Sequence, residues 1–452
     1  MANLSNGKMG LLGASSLVVT NMVGTGLFLL PTSLAGIGSI SIYGWIISAI
    51  GATALGLVFA HLGMVDPKSG GPYAYARDHL GPFVAFQTNL VYWIANVIGN
   101  VAIAVSVTGY LAVFFPPLTN PWWSNACTAL VIWTFTWLNT RGASAVGRFT
   151  TFTTFAGIIP IAVVGLLGWF WFNPDTFQRG WNPDARSSVS AITSSASIAL
   201  WAFLGVESAA VSAGVIENPQ RNVPLATLIG LGVSTLIYVA CCAVIMGILP
   251  NEQLRTSHAP FAEAAEIMFG YWGALAISTA AILKAAGSLT GWMLIVAQSA
   301  QAAAMDGMFP RGFARTNALG MPVRNLVTTA VMMTGLLLLT TSPNLATQFS
   351  RITNATVVLM TLPYIYSVVA MWRLNNTLEM EARKRRLLVL IGVVACLYCV
   401  GVIIGQSADL NSSALLVLLL TIPLYAFIGR TRMPAPVAVG LHDPGAPPHA
   451  GN

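Results

Sequence analysis

Charge is scarce in this chain. Only 8% of its 452 residues are Asp, Glu, Lys or Arg, against roughly 25% in soluble domains. With 56% hydrophobic residues, there is too little polar surface to cover a water-soluble core of this size, so the bilayer is the expected solvent. Cysteine is scarce too. Cys127, Cys241, Cys242, Cys396 and Cys399 are the five, all in or at the ends of apolar runs. Cys396 and Cys399 have the spacing of a redox or metal pair, but no His or further Cys stands near them, so helix packing is the reading. They therefore do not reveal a redox compartment. No metal cluster, nucleophile–base pair or ring-forming filter repeat is present, which leaves a metal site, a cofactor, a membrane enzyme and a channel without support.

What is present is apolar length. Twelve runs approach or exceed the about 20 residues needed to span a bilayer: roughly 11–35, 40–64, 84–115, 123–140, 150–172, 192–216, 225–249, 272–302, 325–342, 347–372, 386–405 and 412–428. The first is too long for a signal-peptide core and has no clean cleavage site, so it reads as a retained helix. The expected class is an all-α integral membrane protein. Residues 1–10 form a cytoplasmic N-terminus, 11–430 the membrane domain, and the Pro-, Gly- and Ala-rich 431–452 a disordered cytoplasmic tail.

The formal net charge of +7 is explained by topology and suggests no nucleic-acid partner. With the N-terminus inside, sixteen of the 21 Lys and Arg fall on cytoplasmic segments. Arg179, Arg186, Arg255 and Arg351 fall outside, and Lys284 lies within a span. This is the positive-inside pattern, with both termini cytoplasmic. The charged segment 374–386 reads as a solvated loop that fixes this topology, and contact with anionic inner-leaflet lipid is the alternative.

Two of the spans are interrupted. Asn21-Met22-Val23-Gly24-Thr25-Gly26 breaks the first, and Trp201-Ala202-Phe203-Leu204-Gly205-Val206-Glu207 breaks the sixth. Unpaired backbone at membrane depth is tolerated only where it is buried in protein or lines a cavity. Matched breaks in two halves are the best sequence pointer to a secondary transporter's substrate site. Spans one to five and six to ten, about 11–172 and 192–372, align as two halves. Five helices per half force opposite topology on the two, which is the inverted-repeat plan. The last two spans, about 386–428, are additions.

Several residues near the breaks have chemistry to offer. Gly24 and Gly26 let the chain leave helical geometry, and the helix N-terminus that follows favours an anion. A substrate carboxylate is the expected occupant, with the Thr25 hydroxyl as a further donor. Close packing of small residues is the alternative. Glu207 lies at membrane depth, where a charge costs at least roughly 2.5–3.5 kcal/mol on insertion scales. It is a candidate proton site and cation anchor, or else a protonated structural carboxyl. Trp201 and Trp292 offer indole faces to a cationic group. Lys284 lies too deep for easy snorkelling and shares a helix face with Ser288 and Trp292, a face expected to look at the site. It either pairs with Glu207 or carries a role of its own.

These residues carry a resemblance over about 8–430. The matching pieces include Asn21 to Gly26, Ser69-Gly70-Gly71-Pro72-Tyr73-Ala74-Tyr75-Ala76, Gly99-Asn100-Val101-Ala102-Ile103, Leu200 to Ser208, Glu217-Asn218-Pro219-Gln220-Arg221-Asn222-Val223-Pro224 and Gly287-Ser288-Leu289-Thr290-Gly291-Trp292. The chain resembles the amino acid–polyamine–organocation superfamily. Within it, the chain is similar to the basic amino acid/polyamine antiporters: the arginine–agmatine, lysine–cadaverine and ornithine–putrescine exchangers of the bacterial inner membrane. The resemblance implies a leucine-transporter-like five-plus-five inverted repeat with two further helices, often a homodimer, with amino acid and amine substrates and a part in acid resistance. It implies that Thr25 and Gly26 take the substrate carboxylate, and that backbone around Met22, Trp201 and Leu204 takes the α-ammonium. Trp292 would stack on the distal cation, helped by Ala95, Asn96, Asn100 and Thr356. Tyr92, Tyr364 and Trp201 would gate, and Glu207 would sense pH. Lys284 departs from the pattern: it stands where a small neutral residue is expected, near the position of a sodium site in the wider fold. Its positive charge near a pocket for cations weighs against a dicationic diamine. A proton-coupled amino acid permease using Lys284 or Glu207 is the alternative function.

Overall fold

A computed structural model describes residues 10–24, 26–66, 70–211, 216–342 and 344–428. Helices account for nearly all of them. The first half holds α1 (Leu11–Met22), α2 (Gly26–Ala35), α3 (Ser41–Val65), α4 (Pro72–Leu80), α5 (Pro82–Leu111), α6 (Pro121–Thr140), α7 (Ala143–Leu167) and α8 (Pro174–Arg179). Then come α9 (Ser188–Phe203), α10 (Ser208–Val211), α11 (Pro219–Ile248), α12 (Asn251–Thr256), α13 (Pro260–Met305), α14 (Val323–Leu339), α15 (Leu345–Thr377), α16 (Ala382–Ile404) and α17 (Ala408–Ile428). Proline at the first turn of α4, α5, α6, α8, α11 and α13 fits a position whose N–H has no intrahelical partner.

Among the described residues, ten segments are long and apolar enough to cross a membrane. Two of the expected spans are not among them. α14 has 17 residues, and α6 carries Ser124, Asn125, Thr128, Thr136 and Asn139 on its buried side, which lowers its hydropathy. The outer surface is apolar as well. On α16 and α17, Leu390, Leu397, Ile404, Leu416 and Phe427 are each more than half exposed. Such a continuous apolar face is a liability in water and the proper surface in hydrocarbon. The chain is a multi-pass membrane protein.

The interior is built around α5, which packs against α13 and α15, while α13 also lies on α7. Small residues allow the close approach, as is usual for membrane helices. A Cβ on Gly287 would fall 1.9 Å from Thr153 Oγ1, and one on Gly157 would fall 2.3 Å from Lys284 Cβ. α13 begins earlier than its apolar run suggests. It starts at Pro260 and bends at Gly270 (φ 71°), so the expected polar connection before residue 272 is largely helical. Glu263 and Glu266 masked it from a hydropathy reading.

The ends of the bundle are tied differently. At one face α8 and α12 hold the C-terminus of α2. Asn251 Nδ2 donates to Ala35 O at 2.8 Å, and Ser39 N and Ile40 N donate to Gly180 O and Trp181 O at 2.8 and 2.9 Å. These bonds satisfy carbonyls and amides that helix ends leave open. At the opposite face Tyr73 Oη and Arg77 Nη1 donate to Asp306 Oδ2 at 2.5 and 2.9 Å, joining α4 to the end of α13.

Candidate functional site

Both helix breaks have defined turn geometry. After α1, Val23 (φ −72°, ψ 69°) forms an inverse γ-turn, with Gly24 N donating to Met22 O at 2.6 Å. Thr20 O thereby loses the amide that would have continued the helix. After α9, Leu204 (φ −61°, ψ 137°) and Gly205 (φ 99°) form a type II turn, closed by Val206 N to Phe203 O at 3.3 Å. The third position of that turn needs positive φ, hence glycine. The two breaks also meet. A Cβ on Gly205 would lie 3.2 Å from the Asn21 backbone, and Asn21 Nδ2 donates to Ser208 Oγ at 2.8 Å.

A cavity lies between the breaks. Its wall comprises Asn21, Met22 and Gly24 from the first break, Trp201 and Leu204 from the second, Asn96, Gly99, Asn100 and Ile103 of α5, Ser288 and Trp292 of α13, and Thr356 of α15. Its volume is 30 Å³, room for water and far short of an amino acid. No charged side chain lines it. The Asn100 amide, 1% exposed, has its nitrogen without a hydrogen-bond partner. An unpaired buried amide costs roughly 1–3 kcal/mol, a penalty that a ligand would relieve. Asn96 is committed, donating to Tyr92 O at 2.7 Å.

Glu207 does not line this cavity. It is 1% exposed and collects three donors: Tyr92 Oη at 3.3 Å, Gly205 N at 3.1 Å and Tyr364 Oη at 2.9 Å. One carboxyl group thus joins α5, the α9–α10 turn and α15 beneath the cavity. Lys284, 0% exposed, donates from Nζ to Thr20 O at 3.0 Å. The pairing of Lys284 with Glu207 is not seen: among the described residues no salt bridge joins them, since each is satisfied by a different partner. Nor does Lys284 face the cavity as its shared helix face with Ser288 and Trp292 suggested. Its long side chain reaches the opened end of α1 instead, so its charge is not presented to a cationic ligand.

Of the residues expected at the site, Met22, Gly24, Asn96, Asn100, Trp201, Leu204, Ser288, Trp292 and Thr356 come together around one cavity. Ala95 is buried on α5 without lining it. Gly26 begins α2, and Thr25 lies outside the described residues. Asn21, Gly99 and Ile103 line the cavity without having been singled out for it. Gly99 and Ile103 follow Asn96 and Asn100 at helical spacing, which was the available signal. A Cβ on Gly99 would sit 3.2 Å from the Trp201 ring and from Thr356 Cγ2, so its bareness is what admits the indole.

A bundle of apolar helices in which two facing breaks enclose a small polar cavity has the build of a membrane transporter. The chain matches the sequence model described as amino acid permease over residues 9–428, and it belongs to that family. The cadaverine/lysine antiporter of Escherichia coli (strain K12) is 38% identical over 425 residues, covering 93% of this chain and 94% of that protein. The putrescine transporter PotE of the same strain is 36% identical over 398 residues, covering 88% and 91%. PotE of Haemophilus influenzae is 36% identical over 423 residues, covering 93% and 97%. The family is one of transporters, not enzymes.

Proposed function

We propose that this protein exchanges a basic amino acid for its decarboxylated amine by alternating access. The observation that carries this reading is the charge-free cavity between the two breaks, walled by two indoles and an unspent amide, in a chain related to a cadaverine/lysine antiporter and a putrescine transporter. The amino acid's carboxylate docks at Gly24, Thr25 and Gly26, where α2 begins. Its α-ammonium meets carbonyls around Met22, Trp201 and Leu204. The distal cation lies on Trp292, with Asn96, Asn100, Thr356, Ser288 and the α5 surface at Ala95 around it. A decarboxylated amine uses the cation half alone, so one site serves both solutes in turn. The cavity holds neither as it stands, so a gate must move. Trp201 closes it on one side. On the other, Tyr92 and Tyr364 are held by Glu207, and protonation of Glu207 couples those gates to pH.

The same reading completes the architecture. α6 and α14 cross the membrane as the fourth and ninth of twelve spans. The bundle is an inverted repeat of about 11–172 and 192–372, with α16 and α17 outside it, in a transporter domain of 11–430. Both termini, 1–10 and 431–452, are cytoplasmic and the membrane is the bacterial inner membrane. The bare face of α17 serves lipid or a second copy in a homodimer.

Counterflow in proteoliposomes tests the reading. Labelled lysine, arginine or ornithine should enter only vesicles loaded with a cognate amine or amino acid. Uptake into empty vesicles, driven by a pH gradient, would replace exchange by the second reading, a sodium-independent proton-coupled permease. The buried amine of Lys284, held on Thr20 O, is what favours that second reading.

A further inference from the structure

A second polar cavity lies outside the break region. It has a volume of 240 Å³, eight times the 30 Å³ of the central one, and is bounded by the end of α2, the start of α9, α15 and the α16–α17 connection. Its size is below the roughly 300 Å³ at which drug-sized ligand pockets begin, which suits one amino-acid-sized solute. Its polar wall is formed by Arg186, Ser194, Asn354, Gln406 and Ser407, with Ser33, whose hydroxyl already bonds Leu29 O and Ser350. The Ser194 hydroxyl is spent on Gly405 O at 3.4 Å, but donors of Arg186 and Gln406 remain. Gln406 Nε2 is buried without a partner. Arg186 makes one side-chain bond, from Nη2 to Asp184 at 3.3 Å. That carboxylate is shared, because Arg255 also donates to Asp184, at 2.7 Å. Arg255 and Arg186 together hold the Asp184 carboxyl below the usual carboxylate range. Two guanidinium groups on one ionised carboxylate leave one positive charge of this triad unneutralised; Asp409, between the lining residues Ser407 and Leu410, is the nearest further carboxylate in the chain.

We propose that this cavity binds a small carboxylate-bearing solute, and that the solute is the transported amino acid held ahead of the central site. A guanidinium matches a carboxylate with two parallel N–H donors, and the Gln406 amide supplies a third group that now has no partner. The decarboxylated amine lacks the recognised group, so this site distinguishes incoming from outgoing solute where the central site accepts both. The identity of the solute rests on the exchange reading; the carboxylate site does not.

Ser407 is exposed at the rim and reports occupancy without transport. Alkylation of Ser407→Cys by a neutral maleimide is followed by mass spectrometry of the peptide containing position 407, in detergent micelles that open both faces. Lysine and acetate should each slow alkylation, by about tenfold at ten times the dissociation constant, and cadaverine should not. Arg186→Gln should abolish the protection, and Arg186→Lys should retain part of it. Absence of protection by either carboxylate, equal protection by cadaverine, or protection that survives Arg186→Gln would each overturn the site. Protection by acetate but not by lysine would keep the carboxylate site and overturn the amino acid as its occupant. Failure of the exchange reading shows separately, in counterflow.

Discussion

Replacing Lys284 by Met separates the stability of the bundle from the integrity of its broken helix. The ammonium is fully buried and donates one hydrogen bond, at 3.0 Å to Thr20 O. Thr20 O is a carbonyl orphaned at the end of α1, because Gly24 N turns to Met22 O. A hydrogen bond from a charged donor contributes about 1.5–3 kcal/mol. A cation at a helix C-terminus adds up to about 2 kcal/mol where partly buried. Against these stands the desolvation of one ammonium, several kcal/mol even after relaxation. For the folded state the opposing contributions nearly cancel, and Met fills a similar volume without the desolvation. The melting temperature of Lys284→Met should therefore hold or rise. The end of α1 fares differently, since it loses its cap outright. In the proposed alternating access α1 moves, and a loss of about 2 kcal/mol at such an element shifts its population more than tenfold. Exchange by Lys284→Met in sodium-free proteoliposomes should accordingly fall by about tenfold or more. Wild-type exchange across the pH range without sodium would refute the reasoning, and so would a fall in melting temperature with transport unchanged.

Further outcomes follow from the same geometry. Trp292→Leu should weaken binding of cationic substrates by about 1–2 kcal/mol in calorimetry, the value of a desolvated cation–π contact, with neutral amino acids affected less. Glu207→Gln keeps one acceptor oxygen, enough for Tyr364 and Gly205 N, turns an amide donor toward the Tyr92 hydroxyl and removes the titratable group, so exchange should persist with a flattened pH profile; a profile like the parent's would exclude Glu207 as the coupling site. Because Lys284 and Glu207 share no hydrogen-bond partner, a double-mutant cycle on transport should be additive within about 0.5 kcal/mol, and a larger coupling energy would reinstate an ion pair. Gly205→Ala, at φ 99° and with Asn21 in the way, should lower stability by about 1–2 kcal/mol from backbone strain alone, measured by thermal unfolding in detergent.

How much of this was legible in the sequence depends on the range of each interaction. The breaks were legible because Gly24 and Gly205 sit in apolar runs where helix would otherwise continue. Helical spacing placed Ser288 and Trp292 on one face of α13, and both line the cavity. What spacing does not encode is the path of a long side chain. Lys284 shares that face, yet its four methylenes carry the amine to Thr20 O, away from the cavity. Hydropathy alone also ranks α6 low and missed the start of α13. There polar residues such as Thr128, Asn139 and Glu263 are satisfied by neighbouring groups: Thr128 bonds Thr108, Asn139 bonds Thr290 O, and Glu263 accepts from Ser257 and Gln253. A scale that scores residues singly has no record of those partners.

The placement of the ties gives the proposed gating its direction. Around α2, the bonds from Asn251, Ser39 and Ile40 fix its far end to α8 and α12, while Ser33 meets Ser350 of α15 at 2.7 Å. Around α1, the bonds are Lys284 to Thr20 O and Asn21 to Ser208, both at the break itself. The two halves of the first span are thus hydrogen-bonded to different partners, although α11 and α13 pack against both, and the γ-turn at Val23 interrupts the helix between them. In the proposed gating, a load on α1 is taken up at the break while the ties at its far end hold α2. The same logic holds at Leu204 and Gly205, where one type II turn separates α9 from Glu207 and its tyrosines. Substrate bound between the breaks would touch both turns at once, which is the physical route by which occupancy of a small cavity can bias two long helices.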